Sequence, residues 1–155
     1  MQKNINDMIK EFHQLNASIK NVLADTRYKD LGDLSEISLD YENADQLLLL
    51  DEAYTILNQL QSVSADIDYL RRPVTHQGTL HKNSSGRYEI DDLELTSGHI
   101  VEYLAHDDSH ATFNEKGEYI NVPYWRRGRI EHNGTDYYIV GDSTLSLEGL
   151  QVRIR

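Results

Sequence analysis

Apolar side chains recur every three or four residues through the first part of the chain, with polar residues between them. This spacing predicts an amphipathic helix from about Asn4 to Ala24. The same period returns from about Asn43 to Arg71, and Pro73 marks the end of this second predicted helix. Because each helix carries one apolar stripe, we expect the two to fold back on each other as an antiparallel hairpin.

Beyond Pro73 the helical period gives way to an alternation of apolar and polar residues. Turn signals at residues 83–86 and 133–135 each separate two alternating segments, which predicts two β-hairpins. Further strands are predicted at His99 to Leu104, Tyr119 to Trp125 and Leu150 to Ile154. The sequence therefore predicts an α+β protein, with an N-terminal antiparallel helical hairpin in residues 1–72. A small antiparallel β-sheet or SH3-like barrel is expected to follow in residues 73–155.

The charge of the chain limits the kinds of partner that it can bind. The 155 residues include 26 acidic and 15 basic ones, for a net charge of −11. Binding to a phosphate backbone needs a basic face, so we expect no direct nucleic-acid binding. The acids cluster, with nine between Asp25 and Glu52 and nine between Glu89 and Glu118. A clustered negative field speeds association with basic partners, and the alternative is that it only keeps the protein soluble.

Catalytic and metal-binding signals are sparse. The chain has no cysteine, which excludes disulfides, thiolate metal sites and cysteine nucleophiles. The segment His106 to His110 contains two imidazoles and two carboxylates, which zinc accepts as ligands, but its position between strand signals is typical of a solvated loop. Neither a nucleophile elbow nor a phosphate-binding glycine loop occurs. We therefore expect no enzyme activity, no cofactor and no bound metal.

The start of the chain bears on where the protein resides. The first residues lack the apolar segment that a signal peptide needs. No run approaches the roughly 18 apolar residues of a membrane-spanning helix. The sequence therefore favours a cytoplasmic protein that does not bind membranes.

One segment of the β region combines aromatic and basic side chains, at Tyr124, Trp125, Arg126 and Arg127. These groups could stack on bases or hold a phosphate or a carboxylate. The segment also has the alternation of a strand, which would place Trp125 in the core and pair the arginines with nearby acids. Both interpretations remain open from the sequence.

The C-terminal half resembles a known family through its segments 78–89, 95–98, 129–141 and 147–155, and the similarity extends over most of residues 42–155. The family comprises small Firmicutes proteins that contain a β module of unknown function, and no catalytic residue is known for it. Such proteins are commonly encoded on plasmids, conjugative elements and phage-derived islands, where small acidic proteins often block host defence. The resemblance thus implies a mobile-element protein, and suggests an anti-CRISPR or antirestriction inhibitor.

Two functional hypotheses follow from these observations. In the first, an acidic surface binds the basic groove of a partner such as a Cas nuclease and excludes DNA. The predicted contacts are the acidic residues Asp30, Asp33, Glu36, Asp40, Glu42, Asp91, Asp92 and Glu94. In the second, the protein is an adaptor of a plasmid or conjugative element that binds a protein or nucleic acid through the Tyr124 to Arg127 segment. Apolar residues such as Leu48 and Leu49 are compatible with a homodimer in either case.

Overall fold

The computed structural model describes residues 4–28 and 34–155. The chain divides into two compact units, residues 1–72 and residues 73–155. Helices make up the first unit and antiparallel sheets the second, so the predicted α+β class is confirmed. Among the helices of the described ranges, none combines the length and apolar character needed to cross a membrane.

The N-terminal unit contains two long helices that begin at asparagine caps. Helix α1 spans Ile5–Asp25 and helix α2 spans Ala44–Arg71. The side chain of Asn4 accepts a hydrogen bond from the backbone N–H of residue 6, and that of Asn43 accepts from residues 45 and 46. These bonds satisfy backbone donors that a helix start leaves without an intrahelical partner, so they fix both starting points. The predicted helix boundaries differ from the observed ones by one residue at most.

The two helices pack antiparallel. Asn16 in α1 donates a 2.9 Å hydrogen bond to Asp68 near the end of α2, whereas Tyr28, just beyond α1, packs edge-on against Tyr54 nearer the start of α2. Between these contacts lies an apolar core of residues from both helices and the segments that follow α1, namely Ile19, Leu23, Tyr28 and Leu57, with Leu34 and Leu60 against it. The predicted helical hairpin is therefore confirmed.

The second unit, here called the β domain, contains ten strands. They are β1 His76–Thr79, β2 His81–Lys82, β3 Tyr88–Ile90, β4 Leu93–Leu95, β5 Ile100–Ala105, β6 Thr112–Phe113, β7 Tyr119–Ile120, β8 Tyr124–His132, β9 Tyr137–Ile139 and β10 Gln151–Ile154. Five form the main antiparallel sheet, in the order β1-β10-β5-β8-β9. Strands β2, β3 and β4 form a second sheet, and β6 pairs with β7.

One side of the main sheet faces the core of the β domain. Because side chains alternate along a strand, the residues of β5 that face this core are Val101, Tyr103 and Ala105, and all three are buried. They pack with buried residues from the neighbouring strands and connecting loops, among them Leu80, Ile90, Leu95, Ile130, Ile139, Leu147 and Val152. We call this the inner side of the sheet, and the opposite side the outer side.

Two details of the strand prediction differ from the structure. The predicted strand from Tyr119 to Trp125 is two separate strands, β7 and β8, because Pro123 lies between them and has no N–H to donate to a sheet. Trp125, predicted as a core residue under the structural interpretation, is half-buried on the outer side, since Ile130 and the other even-numbered positions of β8 occupy the inner side.

Candidate functional site

The predicted acidic contacts in the helical unit differ in their surroundings. Asp30 and Asp33 lie outside the described residues. Glu36 is held by Arg27, whose Nη1 lies 2.6 Å from each oxygen of the carboxylate. Asp40 and Glu42 are exposed, and the Glu42 backbone N–H donates a 3.0 Å hydrogen bond to the Asp40 carboxylate.

The predicted acidic contacts of the β domain lie around the turn between β3 and β4. Asp91 and Asp92 are exposed at that turn, and Asp91 has a φ of 49°, a backbone conformation that non-glycine residues seldom adopt. Glu94 is half-buried and pairs with Arg87 at 2.5 Å. The hydrogen bond from Arg87, followed by one from Asn83, lowers the pKa of the Glu94 carboxyl.

These surroundings divide the predicted acids into two classes. Glu36 and Glu94 form ion pairs with arginine, which reduces their field and ties them to local structure. Asp40, Glu42, Asp91 and Asp92 are exposed and form no ion pair with any described residue. Among the predicted acids that the structure describes, only this second class keeps its charge available to a partner.

Strand pleating separates the predicted aromatic and basic cluster into two pairs. Tyr124 and Arg126 are opposite Ala105 and Tyr103, the inner-side residues of β5, whereas Trp125 and Arg127 are opposite the outer-side residues Leu104 and Glu102. The four side chains therefore do not form one site.

The first pair builds a polar cluster with the loop that follows β5. Asp107 accepts a 2.9 Å hydrogen bond from the hydroxyl of Tyr124 and lies 2.6 Å from the guanidinium of Arg126. Hydrogen bonds from Ser109 are the largest cause of a lowered pKa of the Asp107 carboxyl. The ring of His110 packs edge-on against Tyr124, with centroids 4.2 Å apart.

The carboxylates in the segment His106 to His110 have hydrogen-bond partners within the β domain. Asp108, the other carboxylate of the segment, accepts hydrogen bonds from Tyr119 and Asn121 at 2.9 and 2.8 Å. The carboxylates therefore hold the loop against its neighbours. Across residues 4–28 and 34–155, no three His, Asp or Glu side chains are grouped so that they could hold a metal ion.

The second pair belongs to a basic outer surface. The sheet register places Arg127 and Arg153 on either side of Glu102, and alternation places Arg129 and Arg155 on the same side. We define the arginine face by these four arginines with Trp125, Glu102 and Glu131. Four arginines against two glutamates leave a positive surplus on this face, in a chain whose net charge is −11.

Glu102 organises the centre of the arginine face. Its side chain is only 9% exposed, and it accepts hydrogen bonds from Arg153 and, at 2.8 Å, from Arg155. Burial disfavours its charged form, but the two arginines outweigh burial and lower the pKa of the Glu102 carboxyl. The guanidinium of Arg153 also lies 4.5 Å from the centre of the Trp125 ring, in cation–π geometry.

The sequence interpretation missed Glu102, Arg153 and Arg155 as members of this surface. The available signal was the alternation in Gln151 to Arg155, which puts both arginines on one side of a strand. Their contact with Glu102 depends on which strands are neighbours, and a single sequence does not fix that order.

Comparison with known proteins bears on the β domain alone. No curated protein and no solved structure matches the chain. One family model, described as Domain of unknown function (DUF5348), matches residues 78–154. This range includes the arginine face except Arg155, as well as the turn that presents Asp91 and Asp92, and it excludes both helices. Residues 78–154 of the β domain are therefore similar to a family whose function is unknown.

Proposed function

We propose that this protein is a non-enzymatic interaction protein that binds a protein partner through acidic side chains. The observation that carries the proposal is the class of exposed carboxylates without an ion pair to any described residue, at Asp40, Glu42, Asp91 and Asp92. In a chain with a net charge of −11, these groups attract a basic surface and repel nucleic acid. Glu36 and Glu94 are left out of the contact set because arginines already pair with them.

The specific form of the proposal is an anti-CRISPR inhibitor that acts in the cytoplasm and is encoded by a mobile element. A Cas nuclease holds its guide–target duplex in a positively charged channel and reads a short flanking motif with arginines. Exposed aspartates and glutamates would pair with such cations and thereby exclude DNA. Support for this form comes from the charge of the chain and from the resemblance of the β domain to mobile-element proteins.

Charge reversal tests this function. We expect the variant D40K/E42K/D91K/D92K to inhibit DNA cleavage by a purified Cas nuclease at least about tenfold less than the wild-type chain, because each contact changes from attraction to repulsion. Cleavage is measured as protein is titrated at two salt concentrations, since the attraction weakens with ionic strength.

Matched controls distinguish the effect of these positions on inhibition from the effect of net charge. D91K/D92K and D51K/E115K change the net charge equally, and Asp51 and Glu115 are also exposed but lie outside the contact set. We expect only D91K/D92K to weaken inhibition. Equal effects of the two double variants would reject the contact set, and a wild-type chain that inhibits no Cas nuclease would reject the anti-CRISPR form.

A second candidate function rests on the arginine face. Trp125, with Arg153 stacked on it and Arg127 and Arg129 exposed beside it, offers a stacking surface and positive charge to an anionic partner. In this form the protein is an adaptor of a plasmid or conjugative element, and the β domain binds nucleic acid or an acidic protein.

An anisotropy titration with a fluorescent single-stranded oligonucleotide tests this candidate. We expect binding that weakens steeply with salt and is at least about tenfold weaker for R127E/R129E, because phosphate contacts depend on these cations. K10E/K116E applies the same charge change at exposed lysines elsewhere and should bind almost as wild type. No binding by the wild-type chain at low salt would rule out the nucleic-acid form.

A further inference from the structure

The sequence predicts one apolar stripe on each helix, but part of the apolar surface of each helix remains exposed outside the hairpin core and forms a second stripe. Along α1 it consists of Met8, Leu15 and Val22, with exposed fractions of 36, 52 and 43%. Along α2 it consists of Leu49, Ile56, Val63 and Leu70, with exposed fractions of 67, 53, 43 and 47%. Both sets repeat every seven residues, so each forms a continuous line along its helix. Every member of the two lines stays at least 36% exposed in the hairpin.

The two lines lie on the same side of the hairpin. Val22 directly precedes the buried Leu23 on α1, and Ile56 directly precedes the buried Leu57 on α2. One residue backward is a rotation of about 100° about the helix axis. Because the helices run antiparallel, this rotation turns both lines towards the same side of the pair. We define the apolar face as these seven residues.

The apolar face has the dimensions of a binding surface. Leu49 and Leu70 are 21 residues apart along α2, which corresponds to about 32 Å at the helical rise. Neighbouring helices have axes about 8–10 Å apart, so the strip between the two lines covers roughly 300 Å². The largest apolar patch on a typical monomer covers about 300–600 Å² and is often functional. The face is therefore long enough for one partner helix of about 21 residues.

The charges that border the apolar face favour one kind of partner over another. The outer border positions lie three residues after, or four before, a member of the apolar face. They are Asp45, Glu52, Gln59 and Asp66 on α2, and Asn4, Glu11, Ser18 and Asp25 on α1. Five of these eight side chains are acidic and none is basic. Glu11 and Asp66 already have other interaction partners, so the charge argument rests on Asp25, Asp45 and Glu52. A second copy of the chain would place acids against acids, whereas a helix with basic borders would complement both edges.

We propose that the apolar face binds one amphipathic helix of a partner protein, whose apolar stripe is flanked by lysine and arginine. The helix lies between α1 and α2 in the helix-in-groove mode, so that the three together form a bundle. This inference deepens the proposed function, because it gives the basic protein partner a docking element, and it rests on that function only for the identity of the partner.

A model peptide tests the inference with the full-length chain. The probe is a 21-residue helical peptide with leucine at the core positions of each heptad and lysine at the flanking positions, labelled for fluorescence anisotropy. We expect I56Q/V63Q to bind it at least about tenfold more weakly than the wild-type chain. L47Q/L48Q also removes two exposed leucines from α2, but outside the apolar face, and should bind as wild type. Circular dichroism checks that both variants keep their helices.

A second peptide tests the charge argument. It carries glutamate at every flanking position and is otherwise identical, and we expect it to bind at least about tenfold more weakly than the lysine peptide. Equal binding of the two peptides, or equal effects of the two double variants, would overturn the proposal. A wild-type dimer in sedimentation analysis that I56Q/V63Q converts to monomer would overturn it in favour of a second copy.

The same peptide separates this inference from the proposed function. D91K/D92K should leave peptide binding unchanged, because the turn between β3 and β4 is not part of the apolar face. Loss of nuclease inhibition with retained peptide binding would count against the acidic contact set alone. Absence of peptide binding with retained, D91K/D92K-sensitive inhibition would reject the docking helix alone.

Discussion

Gly128→Val is expected to lower the free energy of unfolding of the β domain by about 3 kcal/mol, because the side chain has no space. A Cβ atom at this position would lie 2.7 Å from Cγ2 of Ile139 and 3.1 Å from Cε1 of Tyr103. Both neighbours are buried in the core of the β domain, so neither can move without displacing others. Urea denaturation followed by the fluorescence of Trp125, the single tryptophan, measures the loss.

A second strand glycine is the matched control for this prediction. A Cβ atom at Gly78 in β1 would lie 3.5 Å from Cγ1 of Ile90, an ordinary van der Waals distance. We expect Gly78→Ala to change stability by less than about 1 kcal/mol and Gly128→Ala to lose more than this. If the two alanine variants were equally stable, the packing of β8 against Ile139 and Tyr103 described above would be wrong.

Glu102→Gln is expected to destabilise the β domain by about 1–3 kcal/mol. The substitution keeps the shape of the side chain but removes the charge that Arg153 and Arg155 share. Loss of one partner from a buried ion pair costs about 3–5 kcal/mol. We expect less here because the two arginines are 22 and 20% exposed and regain some hydration.

Glu131 provides the matched control on the same face. Its carboxylate pairs with Arg129 at 3.1 Å, but the Arg129 side chain is 55% exposed. Exposed ion pairs contribute little, so Glu131→Gln should change stability by less than about 1 kcal/mol. Equal losses in the two variants would show that burial of Glu102 does not strengthen its ion pairs.

The contribution of Glu102 also depends on pH. Its pKa is lower in the folded protein than the ordinary value of 4.5, so its stabilising effect is complete above that value. Below pH 4.5 the unfolded chain takes up the proton more readily than the folded one, and the contribution falls as pH approaches the folded-state pKa. The stability difference between wild type and Glu102→Gln should therefore be constant near neutral pH and shrink as pH falls below 4.5. A difference that grew on acidification would contradict the assignment.

The helical part of the fold was predictable because its determinants are local. Apolar residues at helical spacing place α1 and α2, and Asn4 and Asn43 lie where caps are needed. The turn residues at 83–86 and 133–135 likewise mark the observed links between β2 and β3 and between β8 and β9, since short turns depend on the residues within them.

The arrangement of the outer surface was not predictable, because it depends on residues far apart in the chain. Arg153 and Glu102 are 51 positions apart and meet only because β10 pairs with β5. The side of the sheet on which Trp125 lies was equally undetermined, since it follows from the strand that begins after Pro123. The pairing of Glu36 and Glu94 with arginines also removed two acids that the sequence alone treated like the other six.

The pairing of β1 with β10 brings the two ends of the β domain to one place. The backbone N–H of Thr75 donates a 2.7 Å hydrogen bond to the carbonyl of Ile154, so entry and exit of the chain are adjacent. A domain with adjacent ends can be transplanted as a cassette, because inserting it into a host loop requires little stretching of either polypeptide. A circular permutant with a short linker between residues 155 and 75 and new termini at the exposed turn 133–135 should therefore retain the native sheet.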